Sequence, residues 1–195
     1  AFGGIVSCNF KIKKNVAMEL NKLFLEVIIS NGFDREALKL LKKKKNLRLI
    51  DATNYSFNEK LKFISSNKEL LVQTEDLKKF NNKDFKIVSK RKPNSKQMKD
   101  LVFAFNICRY VKSNAIVLAV NGTTAGIGSG QPSRLDSCQI AIDKMKKFFN
   151  AEEELVAASD AFFPFIDGIE KLIQSGVTAV IQPSGSIRDK EIINF

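Results

Sequence analysis

Residues 115–128 read AIVLAVNGTTAGIG. Two apolar, β-rich runs flank Asn121-Gly122. That dipeptide suits a two-residue type I′ turn, because both central positions need positive φ. The stretch therefore predicts an antiparallel hairpin. Elsewhere strand-like and helix-like stretches alternate, which predicts strands joined by helical crossovers. A chain containing both patterns is expected to form an α/β sandwich around a mixed sheet.

The remaining elements follow from periodicity and caps. AFGGIVSC, at the start, reads as a strand. A helix follows, with Val16, Leu20, Leu23 and Phe24 on one face. LEVIIS (25–30) is a short apolar strand. Asp34 is placed to cap the helix REALKLLKKKK, whose lysines suit the negative end of the helix dipole. Strands are expected at 47–52, 61–65, 69–73 and 85–89. Pro93 precedes a strong helix in which Asn94 and Gln97 form a capping box, and Met98, Leu101, Val102 and Phe105 keep helical period. Ser133 and Asp136 are expected to cap a helix that buries Cys138, Ala141, Ile142, Met145 and Phe149. LVAAS (155–159) is a strand, a helix spans about 165–175 and ends at Gly176, and VTAVIQ is another buried strand. PSGS then turns into the helix IRDKEII. AFGG, a helix, LEVIIS and a charged helix start are echoed by AFFPF, a helix, VTAVIQ and a charged helix start. This order predicts a duplication.

Composition removes several chemistries. The 195 residues contain no histidine, which excludes Ser-His-Asp and Cys-His triads, histidine zinc sites and a histidine base supplied by this chain. Cys8, Cys108 and Cys138 are far apart and odd in number, which predicts reduced thiols and a cytoplasmic setting. No apolar run approaches the roughly 18 residues of a membrane span. The first residues carry no basic n-region and no Met, and the last read as the opening turns of a helix. The expectation is a piece of a longer protein. The net charge of +11 sits in runs such as LKLLKKKKN and KIVSKRK. Phosphate neutralisation on nucleic acid is one reading of it. A solvated lysine surface is the preferred one; few aromatics are interleaved for base stacking, and a basic field would equally attract small polyanionic substrates.

Four stretches combine polar groups with strand ends. ASDAFFPFIDGIEK (158–171) sets three phenylalanines and a proline between Asp160 and Asp167. It is either buried core or the apolar wall of a site. GIGSGQPSR (126–134) has GxGxG spacing and lies on a hairpin arm, so it is not a Rossmann fingerprint. Its main-chain N–H groups either meet a carboxylate or carbonyl or close a tight turn. PSGSIRD (183–189) places Gly185 and Ser186 before a helix. In KSNAIV, spacing alone makes Asn114 a turn or cap residue sooner than a catalytic amide. Glu26, at the start of an apolar strand, is by the same reasoning an edge charge.

Taken together, AFGGIV, EVII, VKSNAIV, GIGSGQPSR, ASDAFFPFIDGIE and GVTAVIQPSGSIRD occur in one order. The chain resembles the transformylase domain of the bifunctional purine biosynthesis enzymes that join AICAR formyltransferase to IMP cyclohydrolase. The likeness runs from Phe2 to Asp189. It implies transfer of a formyl group from 10-formyltetrahydrofolate to the amine of AICAR, giving FAICAR, without zinc. It implies a duplicated cytidine-deaminase-like α/β fold, a three-layer sandwich. Residues 1–92 would form the C-terminal part of the first subdomain, and residues 93–195 a connecting helix and the second. The homodimer of the family, with sites at its interface, is the implied assembly. AICAR and folate are the implied partners, with no nucleic acid and no membrane.

Carried over by position, Asn114 matches the amide beside the transferred formyl group. Phe2, Gly3, Glu26 and Phe162 match nucleotide-site positions. Leu135, Pro164, Phe165, Asp167 and Ser186 match the folate pocket. Ser113 and Asp160 match a monovalent-cation position, K+ being the implied ion. The Lys-His pair and arginine-bearing tail of the family have no counterpart in these residues, so the segment alone is expected to be inactive. The alternatives are a scaffold paralogue without the chemistry and a lysine-rich nucleic-acid binder.

Overall fold

The computed structural model of the chain describes residues 3–56, 61–149 and 154–195. They divide into two units, Ala1–Glu75 and Asp76–Phe195. In the first, β1 (Gly4–Cys8), β2 (Leu25–Ser30) and β3 (Arg48–Asp51) form a parallel sheet in that order. The helices α1 (Lys14–Asn21) and α2 (Arg35–Leu41) connect them. Asp34 caps α2 as its position demands, its Oδ1 accepting from the Ala37 N–H at 2.6 Å. Ile12, Ala17, Leu25, Ile28, Phe33, Ala37 and Leu41 make the core. The expected apolar face of α1 is shorter than its periodicity suggests. The helix ends at Asn21, and Leu23 and Phe24 are exposed in the turn before β2. Beyond β3, β4 (Leu61–Ser66) and β5 (Glu69–Thr74) pair as an antiparallel hairpin.

In the second unit, α3 (Ser95–Cys108) begins with both bonds of the capping box: Asn94 Oδ1 accepts from the Gln97 N–H and Gln97 Oε1 from the Asn94 N–H. Residues 85–89 do not form the strand expected from their alternation. They have no ladder partner, and Phe85 is held instead by its ring, edge-on to Phe105 of α3 at 5.3 Å. Phe80 packs on the same Phe105 ring, so residues before 93 belong physically with α3.

The sheet of this unit runs β7-β6-β8-β9, from β6 (Ile116–Val120), β7 (Thr123–Gly128), β8 (Leu155–Ser159) and β9 (Val177–Ile181). It is mixed, as the hairpin requires: β6 is antiparallel to β7 and β8, while β8 and β9 are parallel. Asn121 and Gly122 turn the hairpin with φ of 52° and 67°. The buried Asp100 of α3 accepts both of their main-chain N–H groups.

Side chains alternate between two cores. Ile116, Leu118, Val120, Leu155 and Ala157 face α4 (Arg134–Phe148) and α5 (Ile166–Gln174). Val117, Ala119, Val156 and Ala158 face α3. Each fully buried Leu or Ile contributes about 1.5–3 kcal/mol on this account. The result is helix, sheet and helix in three layers, an α/β sandwich with a mixed sheet. As the edge strand, β9 is less buried than expected, with Thr178 exposed. The helix α5 ends at Gly176, φ 96°, as a C′ glycine should, and α6 (Asp189–Asn194) closes the described chain.

The internal echo has a counterpart in topology. β1-α1-β2-α2 and β8-α5-β9-α6 are each two parallel strands joined by a helix and followed by another. In both, the register shifts after the first strand pair.

Candidate functional site

Strand directions bring four chain segments to one end of the second sheet. Ile116, the first residue of β6, is paired with Gly128, the last of β7, and with Ser159, the last of β8. Ile181, the last of β9, lies beside Ala158. The chain therefore leaves β7, β8 and β9, and enters β6, on the same edge. α4 and α5 also start there, so two positive helix ends face that edge. This is where open α/β sheets place ligands.

Asn114 lies at the centre of that edge, its peptide with Ser113 in the cis form. Its Nδ2 donates to the carbonyls of Gln131, at 2.8 Å, and Pro132, at 3.0 Å. Its Oδ1 accepts from Arg134 Nη2 at 2.7 Å. Arginine can only donate and carbonyls can only accept, so these partners fix which end of the amide is which. Arg134 Nη1 donates to Ser159 Oγ at 2.7 Å and to Asp160 Oδ1 at 2.5 Å. The guanidinium side chain is only 10% exposed and the Asp160 side chain 18%. Burial pushes the Asp160 carboxyl up, but hydrogen bonds from Ser113, Arg134 and the Ala115 N–H outweigh it, and the group ends below its ordinary value.

Between the end of β7 and the start of α4, residues 129–131 form a turn tied to Lys112 and to itself. Gly130, φ 68°, donates its N–H to the Lys112 carbonyl at 2.7 Å. Ser133 occupies the N-cap position of α4 without a side-chain bond, and Asp136 makes none either, which corrects the expected caps. Ser137 Oγ donates instead to the Asn114 carbonyl at 2.8 Å. Gly126 and Gly128 serve packing: a Cβ at either would overlap a backbone carbonyl of α4, that of Ala141 or Ser137.

The phenylalanine cluster divides between core and surface. Phe163 is 1% exposed, packs under Gly168, and donates its N–H to Gln182 Oε1 at 2.8 Å. Phe162 and Phe165 are exposed on the strand-end side, with Pro164 between them. The Arg188 guanidinium lies over the Phe165 ring, 4.8 Å from its centroid. Asp167 lies in the first turn of α5, where it accepts the Gly168 N–H, and Leu135 in that of α4. Ser186 Oγ accepts the Arg188 N–H at 3.1 Å. Ser113, Asn114, Leu135, Asp160, Phe162, Pro164, Phe165, Asp167 and Ser186 thus all belong to segments that meet at this edge. In the first unit, Gly3 and Glu26 are neighbours, since a Cβ on Gly3 would fall on the Glu26 side chain. Phe2 lies outside the described residues.

Arg134 is the participant that the sequence reading passes over. The signal was present: an arginine as the first residue of a helix stands at the wrong end of the dipole. The same residue bears on the expected K+ position. Asp160 Oδ1 is already shared by a guanidinium and the Ala115 N–H. A cation bound by Ser113 and Asp160 would therefore compete with Arg134 for the carboxylate, leaving Oδ2 as the oxygen without a partner among these bonds. Among the described residues there is no group of three histidine, cysteine or acidic side chains that could hold a metal. No described helix is long and apolar enough to cross a membrane.

The profile of the AICARFT/IMPCHase bienzyme family matches residues 1–144. Similar relatives are named bifunctional purine biosynthesis protein PurH. That of Aquifex aeolicus is 46% identical over 194 residues, covering 100% of this chain and 38% of the relative. That of Fusobacterium nucleatum is 45% identical over 192 residues, covering 98% and 37%. That of Buchnera aphidicola is 44% identical over 196 residues, covering 99% and 37%. The chain therefore spans well under half the length of these relatives. A match over residues 1–144, with relatives this similar along almost the whole chain, places the chain in the AICARFT/IMPCHase bienzyme family.

Proposed function

We propose that these residues are part of an AICAR formyltransferase of purine biosynthesis, within a longer homodimeric protein that also carries IMP cyclohydrolase. The observation that carries this reading is the convergence of Asn114 with Phe162, Phe165 and Asp167 at one sheet end, in a chain of this family. Phe162 would lie against the AICAR ring. Leu135, Pro164, Phe165, Asp167 and Ser186 would hold the pterin, with Asp167 accepting from its N–H edge. Gly3 and Glu26 are, by the family resemblance alone, nucleotide-contacting positions.

The amine of AICAR is a weak nucleophile, because its lone pair is delocalised into the ring and carboxamide. Transfer needs amine and formyl carbon held in line. The amine nitrogen bonds to the formyl carbon of 10-formyltetrahydrofolate, and the carbonyl oxygen takes up negative charge. Collapse breaks the bond to the folate nitrogen, which gains a proton as the amine loses one. Asn114 would donate to the oxyanion, exchanging its Pro132 contact, the longer of its two carbonyl bonds, for the substrate oxygen. The family resemblance gives the proton acceptor as a histidine, and since this chain has none, that group would come from residues outside it.

The test is Asn114→Ala in the full-length protein, with formyl transfer followed at saturating substrates. The expected loss in kcat is roughly 10²–10³, the scale for one oxyanion donor. A kcat near that of the unaltered protein removes Asn114 from this role.

A further inference from the structure

We infer that Arg134 is a positioning residue for the Asn114 amide, the middle member of a relay running Asp160–Arg134–Asn114. The inference rests on the formyl-transfer reading for its catalytic consequence, and on geometry alone for the relay itself. A positive charge at the first position of α4 is unfavourable to the helix, so the helix does not account for it. A side chain only 10% exposed must also repay the loss of water around its charge. Its partners explain both. One nitrogen is pinned on the end of β8 by Ser159 Oγ and Asp160 Oδ1, and the other is aimed at Asn114 Oδ1.

Asp160 is itself held by the Ala115 N–H at 3.0 Å, so the anchor is tied to the residue next to Asn114. Through that tie the two ends of the relay come back to adjoining residues, Ala115 and Asn114, at the entrance of β6. Its effect on Asn114 is twofold. A charged donor on Oδ1 draws electron density from the amide and makes Nδ2–H a stronger donor. It also prevents the amide from rotating Oδ1 toward the Gln131 and Pro132 carbonyls. The fork is what permits this: two separate nitrogens reach two separate targets, which a lysine ammonium cannot imitate.

Two measurements test the relay. The first is the side-chain amide signal of Asn114 in the full-length protein by ¹⁵N NMR, in Arg134→Lys beside the unaltered protein. The expected result is a moved signal and faster hydrogen exchange at Asn114 Nδ2, with main-chain signals of β8 and α3 in place. An unmoved Asn114 side-chain signal in the lysine variant overturns the relay. The second is kinetic, in the full-length protein. Arg134→Lys is expected to lower kcat by about 10²-fold, the scale for a misplaced reacting group, with KM nearly unchanged. Arg134→Ala is expected to regain part of its kcat when guanidinium is added below denaturing concentration. A rise in KM with kcat intact, or no recovery with guanidinium in a folded variant, contradicts positioning. Absence of formyl transfer in the unaltered full-length protein strikes the functional reading and leaves the NMR result to decide the relay.

Discussion

Ala115 and Asp160 are bonded to each other twice. The Asp160 N–H donates to the Ala115 carbonyl at 3.2 Å, and the Ala115 N–H donates to Asp160 Oδ1 at 3.0 Å. This double tie joins the start of β6 to the end of β8 just beyond the last ladder pair, Ile116 and Ser159. It holds Asn114 next to the loop that carries the phenylalanines. Asp160→Asn keeps an acceptor for Ala115 but leaves the Arg134 charge without its counter-ion. The expected loss in stability approaches, without exceeding, the about 3–5 kcal/mol of fully buried pairs, and urea melts of variant and parent measure it.

The same carboxylate predicts a pH dependence. Its folded pKa lies below the ordinary value of 3.8, so its contribution is fully present above that value. It is lost as pH falls further, through the lowered folded value, because the unfolded chain binds the proton more readily. The stability gap between parent and Asp160→Asn should be constant near neutrality and close in the acid range below about pH 4. Melts taken down to about pH 2 check this; a gap that widens on acidification contradicts it.

Gly128 tests the packing that places α4. An added Cβ would overlap the Ser137 carbonyl, which is backbone and has little room to yield. Gly128→Ala should cost about 1–3 kcal/mol as an overpacked contact and should loosen the Ser137 hydroxyl bond to the Asn114 carbonyl. Thermal unfolding gives the cost. An alanine variant as stable as the parent would mean that α4 does not rest on β7 at this point.

The cysteines offer a test without ligands. Burial, the leading cause, pushes Cys108 and Cys138 up to about 12, and Cys8 is raised less while remaining half-exposed. Thiolate at Cys108 and Cys138 is then scarce at neutral pH, and thiolate is the reactive form. A thiol reagent at about pH 7.5 should modify Cys8 alone in the native chain, and all three cysteines in denaturant. Rapid native labelling of Cys108 or Cys138 would contradict the two-core architecture.

Local signals were the most legible. The Asn121-Gly122 turn, the Asn94–Gln97 capping box and the Asp34 cap are each set by neighbours within a few residues, and each is present. The residues at 85–89 misled because alternation marks a strand only where a ladder partner exists, and ring packing took its place. Gly126 and Gly128 invited a ligand question, while their physical use is to let α4 approach β7. Phe163 and Phe165 are two positions apart, yet one is buried and the other half-open. That difference depends on which face of the loop meets α5. The Arg134 fork was the least legible, since its three partners come from positions 20 or more residues away.

The central claim is that the edge where β7, β8 and β9 end and β6 begins grips a folate. A co-crystal with a 10-formyltetrahydrofolate analogue tests it most directly. The account predicts pterin density on Phe165 with its N–H edge at Asp167, Arg188 withdrawn from that ring, and the formyl-bearing nitrogen turned toward Asn114. Analogue density elsewhere on the protein, with Arg188 still stacked on Phe165, would contradict it.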